Sequence, residues 1–109
     1  MNFNECCYTL LKKVPEGKVT TYKALAHALG TKAYRAVGNA MNRNPYAPIV
    51  PCHRVINANG ALGGYAHGLE KKIRLLQSEG IKIQDNKIDL EVYGFEFDRV
   101  YKGSGSVLA

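Results

Sequence analysis

Three prolines between residues 44 and 51 constrain this chain more than any other feature. Pro45, Pro48 and Pro51 occupy every third position of the stretch that leads to Cys52. Proline fixes its own φ and restricts the residue before it, so this stretch cannot be an ordinary helix. We therefore expect it to hold the thiol of Cys52 in one orientation.

The residues around Cys52 make its thiol a candidate nucleophile. Cys52 is followed directly by His53 and Arg54. The thiolate is the attacking form of cysteine, and neighbouring cationic groups lower the pKa of a thiol toward neutrality. The alternative is a buried, unreactive thiol, because free cysteine is among the most buried residue types. Cys52 taken alone does not decide between these two interpretations.

The size of the chain and its cysteines limit the class of protein. A length of 109 residues suffices for one domain with its own core. We expect this domain to span residues 1–100 and to be monomeric, and we expect residues 101–109 to form a flexible tail. Of the three cysteines, Cys6 and Cys7 are adjacent, which fits neither a disulfide framework nor a zinc site. We expect a reduced, cytoplasmic protein without a metal. No apolar run approaches the roughly 20 residues that span a bilayer, so no membrane partner is expected.

The positive charge of the chain is concentrated in its first half. Residues 1–54 contain eight Lys or Arg and two Glu, whereas residues 85–98 contain five acidic residues. A clustered positive surface favours a polyanion such as nucleic acid through counterion release. A merely solvated basic surface is the alternative.

Helical spacing of apolar residues appears first between Phe3 and Val14. The pattern predicts an amphipathic helix that ends near Pro15, with Cys6 and Cys7 in the core. These two cysteines are therefore assigned a packing role.

Two further helices are predicted on either side of Gly30. Thr20 or Thr21 can cap the first, Gly30 ends it, and Thr31 can cap the second. The inward residues of the first are Tyr22, Leu25, Ala26 and Leu29; those of the second are Ala33, Ala36, Val37, Ala40 and Met41. The outer face of the second presents Arg35, Asn39 and Asn42. This pair is predicted as a DNA-binding helix-turn-helix, and a plain helical hairpin is the alternative.

The second half of the chain combines a glycine-rich loop with a helix and a hairpin. Residues 60–68 predict a loop whose glycines allow a ligand to approach the backbone, since no phosphate-binding motif is present. A helix begins near Leu69 and ends at Glu79 and Gly80. Alternating apolar residues between Ile81 and Leu90 predict a small β-hairpin. The predicted fold is mainly α with this hairpin.

The octapeptide at residues 49–56, IVPCHRVI, resembles the active-site signature of the O6-alkylguanine-DNA alkyltransferases, also called methylated-DNA-protein-cysteine methyltransferases. The likeness runs from Phe3 to about Phe95 and includes GKVTTYKALA, YRAVGNAMNRNP and GGYAHGLEKKIRLLQSEG. It implies a winged-helix-like, three-helix DNA-binding domain that docks in the minor groove of double-stranded DNA. It also implies irreversible, single-turnover transfer of an alkyl group from O6-alkylguanine, or from O4-alkylthymine, to Cys52 after base flipping, without a cofactor.

The resemblance also implies the roles of the catalytic residues. Cys52 is the nucleophile, His53 takes its proton through a water molecule, and Glu79 orients the imidazole. Tyr22 donates a proton toward the leaving guanine, and Asn44 braces the active-site turn. On sequence alone, Glu79 could equally be a solvated residue at a helix end, and Tyr22 a core residue.

The DNA contacts implied by the resemblance centre on Arg35, which enters the gap left by the extruded base. A phosphate contact is the alternative role of Arg35. The other implied DNA-binding residues are Thr21, Lys32, Tyr34, Ala36, Gly38 and Asn39. The flipped base is contacted by Cys52, Val55, Tyr65 and Ala66; at Ala66 only the backbone can act, because a side-chain hydroxyl found in some members is absent. Arg54 is assigned a structural role.

Two departures from the family pattern are informative. Most members carry a further amino-terminal domain, which binds zinc in some of them, and we expect this chain to begin at the DNA-binding domain. The compact alkyltransferase-like proteins have tryptophan at the position of the nucleophile, whereas this chain has Cys52 and no tryptophan. A lesion sensor that binds alkylguanine DNA and recruits other repair factors is the alternative function. A transcription regulator is a third, which leaves Cys52 without a purpose.

Overall fold

The computed structural model describes residues 2–97. Its helices are α1 (Phe3–Leu11), α2 (Tyr22–Ala28), α3 (Tyr34–Asn42), α4 (Leu69–Ser78) and the short α5 (Leu90–Tyr93); its strands are β1 (Thr20–Thr21) and β2 (Val55–Ile56). The predicted class, mainly α with a small amount of β structure, is confirmed. The tail predicted over 101–109 lies outside the described residues. None of the described helices is long and apolar enough to cross a membrane.

Helices α1, α2 and α3 pack against one another around one hydrophobic cluster. Cys6 and Cys7 lie in this cluster, which confirms their predicted packing role. Helix α1 ends at Leu11, before the predicted end near Pro15. The amide of Val14 donates to the carbonyl of Leu11, so a tighter turn follows the helix and still buries Val14.

The helix-turn-helix forms from α2 and α3. The hydroxyl of Thr21 accepts a hydrogen bond from the amide of Ala24 at 2.9 Å, which confirms Thr21 as the cap of α2. Gly30 follows with a φ of 75°, a conformation that favours glycine.

The predicted cap of α3 is wrong. The hydroxyl of Thr31 accepts from the amide of Ala33, so it stabilises the turn, and α3 begins only at Tyr34 without a side-chain cap. Because the turn extends through Ala33, this residue is exposed and does not face inward. Val37, Ala40 and Met41 are buried as predicted, while Ala36 is half-buried.

The two strands pair in parallel, with Thr20 opposite Val55 and Thr21 opposite Ile56. This sheet connects the residues before α2 to the residues that follow Cys52. Strands of two residues contain no periodicity, so the sequence did not predict them.

The predicted hairpin between Ile81 and Leu90 is reduced to its turn. Asp85 and Asn86 have φ values of 54° and 58°, and Gln84 pairs with Lys87 around them. Beyond the turn, Lys87 pairs with Ala61 instead of extending the hairpin. Ile81 and Ile88 belong to a second hydrophobic cluster with Val19, Ile56, Leu62 and Leu76. The path of residues 81–88 is therefore decided by the burial of Ile81 and Ile88 in this cluster and by the pairing of Lys87 with the loop before α4.

Candidate active site

The proline-rich segment is braced at both ends by one side chain. Asn44 is 8% exposed; its Nδ2 donates to the carbonyl of Val50 at 2.8 Å, and its Oδ1 accepts from the amide of Tyr46 at 2.9 Å. Directly after this segment, Cys52 begins a single 3-10 turn that ends at Arg54. Asn44 thus stabilises the backbone from which the thiol projects, as its implied bracing role requires.

The thiol of Cys52 lies among tyrosines. Cys52 is 4% exposed, and Tyr65 lies beside it. Burial raises the pKa of Tyr65, and the charge of Cys52 and a hydrogen-bonding interaction with its thiol raise it further. Burial and the charge of Cys52 also raise the pKa of Tyr22. The fold therefore brings Tyr22 and Tyr65, which are 43 residues apart, to the same sulfur.

The other two cysteines have a different environment. Cys6 and Cys7 pack inside the hydrophobic cluster of α1 to α3. Burial, followed by the charge of Cys6, raises the pKa of Cys7 to about 11. A thiol with so high a pKa is an unreactive one near neutral pH. All three thiols are buried, and Cys52 differs from Cys6 and Cys7 in having Tyr22 and Tyr65 beside it.

Two side chains of the Cys52 turn converge on Glu79, which follows α4. His53 Nε2 lies 2.8 Å from Glu79 Oε2. Arg54 donates from Nε to Oε1 at 2.9 Å and from Nη2 to Oε2 at 2.7 Å, and its Nη1 donates to the carbonyl of Val14 at 2.8 Å. Arg54 therefore has the structural role that was predicted for it, and it fixes the carboxylate that contacts His53.

Burial and these contacts set the protonation of the pair. Burial lowers the pKa of His53, although the contact with Glu79 opposes this shift. Burial alone would raise the pKa of Glu79, but the hydrogen bonds from Arg54 and His53 bring it below its usual value. The arrangement favours a neutral imidazole beside a carboxylate.

The tautomer of His53 follows from its partners. Because Glu79 accepts at Nε2, the proton of the neutral imidazole resides there and Nδ1 is left as an acceptor. This Nδ1 is buried and has no hydrogen-bond partner among the described residues. The ring thus keeps one basic nitrogen available in the same turn as Cys52.

Lys72 is a residue of this region that the sequence analysis missed. Its side chain is fully buried, and its Nζ donates to the carbonyls of Val55, Leu62 and Gly64 at 2.7, 2.6 and 3.0 Å. It lies in the polar run LEKKIRLLQS, where a lysine is expected to be solvated. The signal that could have found it is helical spacing: unlike Lys71, Lys72 lies three residues after Leu69 and four before Leu76, on the apolar face of the helix.

The residues implied in DNA binding lie around the helix-turn-helix. Arg35 and Asn39 are exposed on α3, as predicted. The Tyr34 hydroxyl lies 3.0 Å from His27 Nε2, across the turn. Of the remaining implied residues, Lys32 is exposed, and Thr21, Ala36 and Gly38 are half-buried. Arg35 forms no hydrogen bond or ion pair with another residue between 2 and 97, so its guanidinium is available to a ligand.

Two residues implied in base contact are placed differently from each other. Val55 is fully buried in the core and its carbonyl is bound by Lys72, so its side chain is not available to a ligand. Ala66 is exposed in the loop before α4.

Between residues 2 and 97, no group of three His, Cys, Asp or Glu side chains could hold a metal ion.

Comparison with known proteins identifies the family. A family model described as the DNA-binding domain of 6-O-methylguanine DNA methyltransferase matches residues 2–81. The chain belongs to this family. The family resemblance carried by residues 49–56 is thereby confirmed, and the helix-turn-helix and the Cys52 turn both lie within the matched residues.

Both curated proteins and solved structures are similar to this chain. A methylated-DNA--protein-cysteine methyltransferase of Methanosarcina acetivorans is 54% identical over 79 residues, which cover 72% of this chain and 51% of the relative. The crystal structure of Mycobacterium tuberculosis OGT in complex with DNA is 42% identical, with a TM-score of 0.70, over 72% of this chain and 50% of that one.

A third relative is compact. The structure of S. pombe Atl1 in complex with damaged DNA containing O6-carboxymethylguanine is 30% identical, with a TM-score of 0.73, and covers 89% of this chain and 100% of Atl1. By contrast, the chain spans a third to a half of the length of the curated relatives it matches.

Proposed function

We propose that this protein repairs DNA by moving the alkyl group of O6-alkylguanine to Cys52, irreversibly and once per molecule. The observation that carries the proposal is the open Nδ1 of His53, a buried base fixed by Glu79 in the turn that begins with Cys52. A nucleophile, a base and a residue that orients the base are the parts that nucleophilic catalysis requires.

The reaction follows from the placement of these groups. His53 Nδ1 takes the thiol proton through a water molecule, and the resulting imidazolium is stabilised by the carboxylate of Glu79. The thiolate attacks the alkyl carbon, a carbon–sulfur bond forms, and the carbon–oxygen bond breaks with its electron pair moving to the guanine. Tyr22, which its raised pKa keeps protonated, supplies the proton that the departing guanine needs, and the proton held by His53 then restores the phenol through solvent. The thioether that forms is stable, so each molecule acts once.

The target base has to leave the duplex for this reaction. Unstacking a base costs a few kcal/mol, which the protein must offset. We propose that α3 docks in the minor groove and that Arg35, exposed and without a partner among the described residues, fills the gap. Because Cys52 is 4% exposed, the side chains that cover its thiol have to shift to admit the base.

The names of the relatives support the same function. The Methanosarcina protein is named a methylated-DNA--protein-cysteine methyltransferase, and the M. tuberculosis protein was solved in complex with DNA. This chain spans only about half of the length of each of these two proteins. The activity of this chain therefore needs its own test.

A transfer assay with mass spectrometry tests the proposal. The protein is incubated with a duplex that contains one O6-methylguanine, and its peptides are mapped. We expect a methyl group on Cys52 and none on Cys6 or Cys7, with equimolar loss of the lesion. The Cys52→Ser variant is the matched control and should leave the lesion intact. An unmodified Cys52 beside a persistent lesion contradicts the proposal; a parallel duplex with O4-methylthymine tests the wider substrate range.

A second candidate function is a lesion sensor without chemistry. The observation that favours it is the match to the whole length of Atl1, which was solved with DNA that contains O6-carboxymethylguanine. A sensor predicts tight lesion binding that survives Cys52→Ala and no alkyl transfer by the wild-type protein. The transfer assay above separates the two functions directly.

A further inference from the structure

Lys72 connects two segments that border the thiol. Its buried Nζ reaches the carbonyl of Val55, the first residue after the Cys52 turn, and the carbonyls of Leu62 and Gly64, in the loop that leads to Tyr65. The three acceptors use all three protons of the ammonium group. One side chain on α4 therefore joins the nucleophile segment to the loop.

The burial of this lysine is unfavourable for the fold by itself. Lys72 is 0% exposed, and no described carboxylate forms an ion pair with it. Burial lowers its pKa to about 8, while the charge of Cys52 opposes that shift. A hydrophobic residue often replaces a buried charge without loss of stability. A packing role alone thus does not account for a lysine at this position.

Apart from Lys72, the loop meets the Cys52 turn through Tyr65, whose ring lies edge-on to that of His53 with 6.5 Å between the centroids. The amide of Leu62 donates to the carbonyl of Asn86, and the amide of Asn57 donates to the carbonyl of Ala61, so these backbone contacts lie on the side away from Tyr65. The hydrogen bond from Lys72 to the carbonyl of Gly64 fixes the loop backbone to α4 directly before Tyr65.

We propose that Lys72 is a positioning residue that fixes the loop of residues 61–67 against the Cys52 segment, and so sets where Tyr65 meets an extruded base. The inference rests on the proposed function, because Tyr65 acts on the base through this loop. Lys72 itself does not touch the alkyl group; it acts through the backbone carbonyls that it binds.

Hydrogen–deuterium exchange without DNA tests the brace independently of any activity. In Lys72→Met, a side chain of similar length without donors, we expect exchange of the amides of residues 61–67 to rise, while exchange in α1 stays unchanged. Leu76→Ala is the control for lost packing, since Leu76 is fully buried on the same helix and shares a hydrophobic cluster with Leu62 of the loop, but its side chain donates no hydrogen bond. Loop exchange that rises equally in both variants overturns the proposal.

Lesion discrimination tests the functional consequence. In a Cys52→Ala background, which cannot react, the affinities for an O6-methylguanine duplex and for the unmodified duplex are compared. We expect Lys72→Met to reduce the preference for the lesion by about tenfold, since small misplacements of a binding group have large effects, and to leave the affinity for unmodified DNA unchanged. Equal losses on both duplexes, as a general destabilisation produces, overturn the proposal.

A second variant and an NMR measurement test the Lys72 brace even if Lys72→Met does not fold. If Lys72→Met does not fold, Lys72→Gln, which keeps two amide donors, is expected to retain part of the loop protection and of the preference. In the wild-type protein, NMR should show slowly exchanging ammonium protons of Lys72 coupled to the carbonyl carbons of Val55, Leu62 and Gly64; their absence overturns the brace. Failure of the transfer assay with an intact brace would refute the proposed function alone.

Discussion

The imidazole of His53 and the carboxylate of Glu79 lie 2.8 Å apart, and this contact leaves His53 Nδ1 as a buried acceptor without a described partner. The relationship joins residues that are 26 positions apart in the chain. Arg54 holds the same carboxylate with two hydrogen bonds, so the imidazole is oriented by a group that is itself fixed.

Removing the charge of Glu79 tests this relationship. In Glu79→Gln the amide no longer stabilises an imidazolium, so we expect the rate of alkyl transfer to Cys52 to fall by about a hundredfold, within the range of general base catalysis. Single-turnover kinetics with an O6-methylguanine duplex measure this rate. Glu70→Gln, an exposed carboxylate on α4, is the control and should react at the wild-type rate. A wild-type rate for Glu79→Gln would remove Glu79 from the mechanism.

Arg35 is tested by comparing duplex DNA with the free base. Only the duplex requires extrusion of the base, so Arg35→Ala should slow repair of the duplex and leave the reaction with free O6-alkylguanine unchanged. We expect the duplex reaction to slow by about tenfold to a hundredfold, because Arg35 would no longer offset the few kcal/mol that unstacking the base costs. Arg74→Ala, exposed on α4, is the matched control. Equal losses on both substrates would contradict an intercalating role and indicate damage to the thiol site.

Asn44 is predicted to contribute both stability and orientation. Asn44→Ala leaves the carbonyl of Val50 and the amide of Tyr46 without their partner, which costs roughly 1–3 kcal/mol of unfolding free energy. Urea denaturation measures this cost, and Asn42→Ala, exposed on α3, should show almost none. Asn44→Asp keeps the acceptor for Tyr46 and loses the donor to Val50, so an intermediate stability is expected. Equal stabilities for all variants would show that the brace is unimportant.

Acidification should destabilise the protein through the His53–Glu79 pair. The pKa of His53 is lowered in the folded state, so between its usual value of 6.5 and the folded value the unfolded chain binds a proton that the folded one does not. Stability is therefore complete above about pH 6.5 and falls as the pH decreases, by at most about 1.4 kcal/mol per pH unit for this group. The lowered pKa of Glu79 adds a further loss below its usual value of 4.5.

Urea denaturation between pH 7 and pH 5 measures this dependence. We expect His53→Gln to have a flatter profile than the wild type, and His67→Gln, an exposed histidine, to retain the wild-type slope. Identical slopes for all three proteins would show that the protonation of His53 is not linked to folding.

Local patterns were sufficient for several elements of the fold. The spacing of apolar residues predicted α1, α2 and α4, and the hydroxyl of Thr21 caps α2 as expected. The core position of Cys6 and Cys7 and the exposure of Arg35 also followed from helical periodicity. These features depend on interactions within one helical turn or on one face of a helix, which the sequence records directly.

Elements that depend on distant partners were not predictable in the same way. The two-residue strands β1 and β2 exist because Thr20 meets Val55 across 35 residues. The turn at Asp85 and Asn86 formed as predicted, but the residues beyond it pair with the loop near Ala61 and not with each other. Tertiary packing decided between alternatives that were locally equivalent.

The sequence by itself determined the family, the order of the main helices and the choice of Cys52 as the proposed nucleophile, because the octapeptide around Cys52 and the helical periodicities are written in adjacent residues. Only the tertiary structure decided that Glu79 orients His53 and that Lys72 is buried against three carbonyls. The reason is physical: the protonation of a side chain and the role of a charge depend on the groups and the solvent around it. Those surroundings come from segments that only the folded chain brings together.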